Sequence, residues 1–592
     1  MRRLMVVGSV VALCSLPALA DDVAYSYDAA TETFTVTVAD GATVDISVDA
    51  VSRLNANEYE EGKPISHFVK EGPGRIVVVD TNAPSAYLGT VGISNGYYRS
   101  YLTNSKANMT VGSHSGGAVT VANGATWELK TDYKDATRDS YVGKQVYFEG
   151  SGVDGTEGAL CALGSTASNS SSDAFGRPMV MTGDAMIRSK TTYAVGMPGG
   201  RTQLVMNNHK LTVNSSISIN ANGKYAAGII WQLADTYEET LGDIELVTGS
   251  VNIGGLRWLN CPEGSRTFTI GTNTVLIVGG SWGSCQVHVK MEPGAIIQCN
   301  GDPAGDTNND YGITYSEWGN RFSGTGPFEL LDPVRNTFLG AWGHYINLFT
   351  RITGGGIRVV DGMRLFISNN NNSFTNGVEV SKARLIVKGA RAIPKDGAPI
   401  VLKEEAYLHV PSKLSYELPE VICAGPTNYL RGTMGYMYPL DSGDLVDACQ
   451  YYSRLTLGGG VVKATTNILV TALKGFGELE GGLCELQIRD GSWEFKTSDV
   501  LAGKCLKAKS IRAMGYVSGK KFIIDADAVP KGGPRTYKVA QATDFISNVG
   551  SAPTIEMKGD KADRGEWKLR KGDDGLSWEL TFYPRGTTVI FR

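Results

Sequence analysis

Apolar and polar residues alternate along most of this chain in short runs of period two, and glycine bounds nearly every run. In residues 33–38 the positions Phe34, Val36 and Val38 share one face, and in 43–48 Val44, Ile46 and Val48 do the same. Strict alternation of this kind marks half-buried strands. Asp40-Gly41 between the two runs predicts a tight turn that joins them as a hairpin. The same grammar returns in residues 117–129 and 242–253. A helical period sustained over ten residues is missing, and residues 49–61 predict a short helix or loop at most. The pattern therefore predicts an all-β protein.

One phrase recurs with variation. Glu71-Gly72-Pro73-Gly74 leads into Arg75-Ile76-Val77-Val78-Val79, and Thr353-Gly354-Gly355-Gly356 leads into Ile357-Arg358-Val359-Val360. Residues 323–330 and 474–480 are two further copies, the latter reading Lys474-Gly475-Phe476-Gly477-Glu478-Leu479-Glu480. A turn followed by a strand, repeated loosely many times, is the mark of a stacked solenoid. The expected fold is a right-handed parallel β-helix over most of residues 22–525, with a small β-rich cap at the C-terminal end. In the cap, Trp567 and Leu569 alternate on one strand, Trp578, Leu580 and Phe582 on another, and 571–575 turns between them. Composition shifts suggest segments 21–320, 321–525 and 526–592, with polar loops at 164–172 and 300–320.

Composition narrows the picture. The chain has 592 residues with 73 glycines, 26 tyrosines and 9 tryptophans, and only 20% of residues are charged. That aromatic content with so little charge argues for order, and no three-residue glycine period is present, which excludes collagen. A net charge of −4 without basic blocks gives no footprint for nucleic acid.

The first twenty residues read as a secretion signal. Arg2 and Arg3 precede an apolar run from Leu4 to Leu16, and Ala18-Leu19-Ala20 is a small-x-small cleavage site. Cleavage after Ala20 would start the mature chain at Asp21, secreted or held at the cell surface. No later stretch reaches the ~20 apolar residues of a membrane helix. Without Cys14, eight cysteines remain, at 161, 261, 285, 299, 423, 449, 484 and 505. Neighbours lying 21 to 26 residues apart match the length of one solenoid coil. Disulfides Cys261–Cys285, Cys423–Cys449 and Cys484–Cys505 between adjacent coils are therefore one reading, and buried thiols are the other.

Residues 353–410 carry a longer pattern. A glycine-rich start and strand (354–360) precede Asn372-Ser373-Phe374-Thr375-Asn376-Gly377-Val378, then the strand Ala383-Arg384-Leu385-Ile386-Val387, a Gly-Ala-Pro-Ile-Val-Leu step and a last strand at 406–410. This resembles the autotransporter-associated β-strand repeat, also called the passenger-associated transport repeat. Residues 150–160 and 204–213 look like phrases from the same large exported proteins. The resemblance implies a right-handed parallel β-helix and says little about ligands. The plan differs at the C-terminal end, where autotransporters carry a membrane barrel with strands of ~9–11 residues. Here the last 250 residues hold further repeat-like phrases and the chain ends Phe591-Arg592, so export without a barrel of its own is expected.

Candidate chemistry is sparse. Asp306, Asn308, Asp310 and Glu317 occupy positions 1, 3, 5 and 12 of a calcium-type loop, but Tyr311 stands where the sharp turn needs glycine, and Gly312 comes one place late. The six histidines (67, 114, 209, 288, 344 and 409) form neither HExxH nor His-x-His. There is no Gly-x-Ser-x-Gly elbow, and the glycine phrases lack a phosphate-binding lysine. No catalytic, metal-binding or cofactor-binding residue is assigned, and no cofactor is expected. The sequence thus predicts a non-catalytic structural or adhesion protein whose partners are surface glycans or proteins. The alternative is a carbohydrate-active β-helix, lyase or hydrolase, in which acids such as Asp243 and Glu245 converge on one face.

Overall fold

The computed structural model describes the chain except for residues 1–21, 47–48, 80–86, 103–115, 132–143, 165–178, 190–203, 215–216, 220–240, 254–265, 280–283, 286, 301–319, 324–325, 341–344, 390, 411–417, 433–448, 465–466, 481–484, 516–520, 551–552 and 586–592. Residues 1–20, read above as a secretion signal, the acidic loop 306–317, His114, His344, Cys261 and Cys484 lie outside the described residues.

Strands from successive turns of the chain pair side by side in parallel, so the protein is a parallel β-helix. Each coil visits three faces in a fixed order. Face one begins with Thr33–Val38, His67–Glu71, Thr90–Ile93 and Ala118–Val121, each paired in parallel with the next. Face two begins with Thr43–Asp45, Arg75–Val79, Gly96–Leu102 and Ala125–Thr131. Face three is strand from Ile217–Ile219 onward, through Ser250–Ile253 and Val275–Gly279. Face two runs as one ladder up to Ser373–Phe374, and face three as one ladder to Thr554–Lys558. The two overlap, which welds the described coils into a single stack; about twenty coils at ~4.8 Å each give a length of roughly 100 Å. Neither ladder breaks near residue 320, because Val289 pairs with Phe328 on face two and Ile297 with Phe338 on face three across it.

Stacking explains the alternation. Inward residues sit above their equivalents one coil away, as in the face-three column Ile357, Val378, Ile400, Val421, Leu455 and Leu473. All six are buried. One tight coil advances only 18 residues, from Leu455 to Leu473. This geometry corrects the hairpin expected around Asp40-Gly41. The strands on either side of it do not pair with each other; each pairs in parallel with the following coil. Asp40-Gly41 is a corner between faces one and two.

The recurring glycine phrases turn out to be corners as well, and they occupy all three. Gly72 lies between faces one and two, Gly354 between faces two and three, and Gly475 between faces three and one. Gly72 and Gly354 have φ of 76° and 92°. A Cβ on either would collide with a carbonyl oxygen of the coil below, that of Val38 or of Leu330. Only glycine tolerates both the conformation and the approach.

Buried polar side chains tie the corners of successive coils together. Asn372, from the repeat-like phrase, accepts from the Ile352 N–H at 2.8 Å in one coil and donates to the Ala392 carbonyl at 2.6 Å in another. The Lys70 ammonium donates to the carbonyls of Gly72, of Gly74 at 2.6 Å and of Asn95 at 2.8 Å. Lys144 does the same for Gly89 and Gly116, at 2.8 and 2.6 Å. Both lysines are completely buried, and burial pushes each ammonium down to about 8.

Each end is closed differently. At the N-terminal end, Val23–Asp28 lies antiparallel on Thr33–Val38, and the short helix Asp49–Ala56 buries Ala50, Val51 and Leu54. At the other end, Gly565–Lys571 and Ser577–Pro584 form the hairpin expected from the sequence. It stands antiparallel on Arg535–Gly550, and Trp578 packs on Trp493 and Phe522 at ring distances of 6.1 and 5.1 Å.

The described cysteines decide two of the three pairings in favour of the thiol reading. Cys423 is a free thiol directed into the core between Leu402 and Leu457, and burial pushes it up to about 12. Cys449, by contrast, pairs with Asn467 on face two. Cys505 is free as well, and burial pushes it up to about 11. The spacing matched a coil, but a disulfide also needs both Cβ vectors to face one another. Cys423 spends its vector on the core.

Candidate functional site

The outward rows of the three faces are where a solenoid can present chemistry, and each face has one dense cluster. On face two, Glu128 stands beside Arg99 in the preceding coil, with Arg75 one coil further back. It accepts from Arg75 Nε at 2.9 Å and Nη2 at 3.3 Å, and from Arg99 Nε at 2.8 Å. Arg75 lies 4.1 Å from the centre of the Tyr97 ring. Residues 151–158 fold over this row. The Val153 N–H donates to Thr126 Oγ1 at 2.9 Å, and Arg188 Nη1 donates to the Thr156 carbonyl at 2.9 Å and to Glu157 Oε1 at 3.2 Å. Burial, then the nearby Glu157 carboxylate, raise the Tyr97 phenol. The Glu128 side chain is left 1% exposed. A carboxylate so enclosed and so paired cannot reach a substrate; it holds three coils in register.

On face three, Glu379 is the hub. Arg335, Arg358 and Lys403 approach it at 3.6, 3.3 and 3.1 Å from three other coils. Again there is one carboxylate among several cations.

Face one carries an aromatic column. Tyr407 and Tyr429 stack at 3.9 Å with ring planes 5° apart. The Arg384 guanidinium covers the outer face of the pair on one side at 4.7 Å, and Lys463 lies 6.0 Å from Tyr429 on the other. Stacked tyrosines could form a sugar platform, but these ring faces are already taken by neighbours in the column. Beside them, His409 is 5% exposed with Nε2 buried and without a hydrogen-bond partner. Burial, reinforced by Arg431, Arg384 and Arg364, pushes its imidazole down to about 3, so it stays neutral.

The acids flagged in the sequence do not converge. Glu245 pairs with Lys210 at 2.5 Å in the preceding coil, whereas Asp243 accepts from the Thr267 N–H at 2.8 Å in the following one. The described histidines stand on separate coils. His67 contacts Thr90 Oγ1 at 2.6 Å, and His288 lies 3.3 Å from Glu329. Among the described residues, no three His, Cys, Asp or Glu side chains gather closely enough to hold a metal ion. Among them too, no helix is long and apolar enough to cross a membrane.

Sequence reasoning missed Glu128, Glu379 and the corner lysines. For Lys70 a signal existed, since it falls in the inward phase of the alternation set by Phe68. The carboxylate hubs left none, because Arg75, Arg99 and Glu128 meet only once the coil length is known. No protein-family model and no curated protein matches this chain.

Proposed function

We propose that this chain is an exported β-solenoid with a structural and adhesive role, secreted or held at the cell surface, without a catalytic centre. Surface glycans or other proteins are its partners. The observation that carries this reading is how the outward side chains are used. In the densest described cluster of each face, a carboxylate is surrounded by cations from neighbouring coils or tyrosines are sandwiched in a cation–π column, so these polar residues serve coil-to-coil cohesion. A polysaccharide lyase or hydrolase needs accessible acids and bases within reach of one bond. Glu128, held by Arg75 and Arg99, is closed off. Kinship with autotransporter-associated repeats belongs to the same proposal, and it is supported by the coil step of Ile357 to Val378 to Ile400 and by the corner role of Asn372. Export through the residue 1–20 signal completes it.

The test pairs binding with turnover. The purified protein is applied to a glycan array and incubated with a panel of acidic and neutral polysaccharides. Retention on glycans or on surface proteins, with no new reducing ends and no unsaturated products, is the expected result. Release of such products, abolished by substituting a particular acid, would overturn the proposal.

A further inference from the structure

The hairpin that closes the C-terminal end leaves one strand half-paired. Gly565–Lys571 lies antiparallel on Ser577–Pro584, and among the described residues no strand pairs with its other edge. An open edge presents a row of N–H and C=O groups ready to pair with another strand. Which groups point outward follows from the register. The Gly572 N–H donates to the Ser577 carbonyl, so the even-numbered residues of this strand spend their backbone groups inside the hairpin. Gly565, Trp567 and Leu569 direct theirs to the open edge, since the direction alternates along an antiparallel strand.

The same odd positions carry the apolar side chains. Trp567 lies opposite Phe582 and Leu569 opposite Leu580, on the core side of the sheet. The Phe582 ring lies over Gly565, where a Cβ would collide with it. Glu566, Lys568 and Arg570 stand on the solvent side and are exposed. Arg570 is already engaged, donating to Glu579 from Nε at 3.1 Å and from Nη2 at 2.9 Å. Two features mark this strand as unfinished in the single chain. Trp567 Nε1 is buried without a hydrogen-bond partner, and Leu569, unlike Leu580 opposite it, is only partly buried.

We infer that this strand pairs with its own copy, joining two chains tail to tail about a two-fold axis at Trp567. Antiparallel pairing of two such strands has to match odd residues with odd ones, so that outward backbone groups meet. With the axis at Trp567, that residue faces its symmetry mate and Gly565 faces Leu569, which makes about six backbone hydrogen bonds. Leu569 then fills the space beside Gly565 and meets the Phe582 ring of the other copy. On the solvent side Glu566 stands opposite Lys568, twice by symmetry, and opposite charges attract across a strand pair. At each rim Arg570 comes opposite Arg564, but Glu579 already neutralises it. Neighbouring registers fail. An axis at Lys568 sets that ammonium against itself, one at Glu566 does the same to a carboxylate, and one at Leu569 opposes Lys568 to Arg570. A second copy therefore satisfies backbone direction, apolar face and charge at once. Both copies use the same patch, so the contact closes at two chains.

This inference stands apart from the binding role proposed above and is tested without any ligand. The chain beginning at Asp21 is followed by analytical ultracentrifugation and small-angle scattering up to on the order of 100 µM, because a single strand pair is a small contact. Dimers with about twice the maximum dimension of the monomer are expected, and nothing larger. Lys568→Glu sets carboxylate against carboxylate at two places and should weaken association about 10-fold. Adding Glu566→Lys in the same chain restores opposite charges at both places and should restore the dimer. Leu569→Pro removes an outward N–H and no bond of the hairpin, so it should give monomers with unchanged circular dichroism. Positions 566 and 568 are exposed, so the charge exchange reads the contact even if the proline variant misfolds. A chain that stays monomeric over the whole range, species larger than dimers, or a double variant no better than Lys568→Glu would overturn the inference.

Discussion

Acidification should loosen the coils around His409 well before the carboxylates titrate. The imidazole is buried and neutral in the native protein, pushed down to about 3, against 6.5 in the unfolded chain. Between those values the unfolded state binds a proton that the native state does not, so stability falls as pH falls. Every tenfold difference in proton affinity between the two states is worth about 1.4 kcal/mol, which puts roughly 5 kcal/mol at stake over the whole window. From pH 7.5 to 5, above the carboxylate range, the loss should be about 2 kcal/mol. A solenoid opens locally, so the right readout is hydrogen exchange of single strands. Opening free energies of Arg384–Val387 and Ala406–Val410, corrected for intrinsic exchange, should drop by that amount. In His409→Leu, which continues the row begun by Ile386, the drop should vanish. A flat profile in the native protein, or the same slope in the variant, would refute the reasoning.

Two further outcomes follow from the corners and the core. Gly354→Ala forces a side chain into left-handed backbone and against the Leu330 carbonyl; it should cost at least ~2 kcal/mol, read as lost exchange protection in Ile352–Gly354 and Ile357–Val360. Cys423, enclosed and held above its usual thiol range, should resist alkylation in the native protein at pH 7.5 and react fully in denaturant. Unreduced peptide maps should contain neither Cys423–Cys449 nor Cys484–Cys505; finding either cross-link would reverse the assignment of Cys423 and Cys505 as thiols.

The class of fold is written in local pattern. Period-two alternation needs only one apolar face per strand, and glycine at a corner needs only a forbidden Cβ, so both can be read over a few residues, as at Phe34–Val36–Val38 and at Gly72. The C-terminal hairpin was legible for the same reason, since Trp567, Leu569, Leu580 and Phe582 lie within eighteen residues of one another. What pairs with what was a different matter. Asp40-Gly41 has the letters of a hairpin turn, yet its flanking strands each found a lower-energy partner in the next coil, some thirty residues away. The cysteine spacing fitted a coil, but the direction of Cys423 depends on which face its strand occupies. Glu128 meets Arg75 and Arg99 across gaps of 53 and 29 residues, set by loops whose lengths follow no rule in the sequence. Coil length is irregular here, so only the folded stack decides which charges become neighbours, and with that whether an acid becomes a reagent or a rivet.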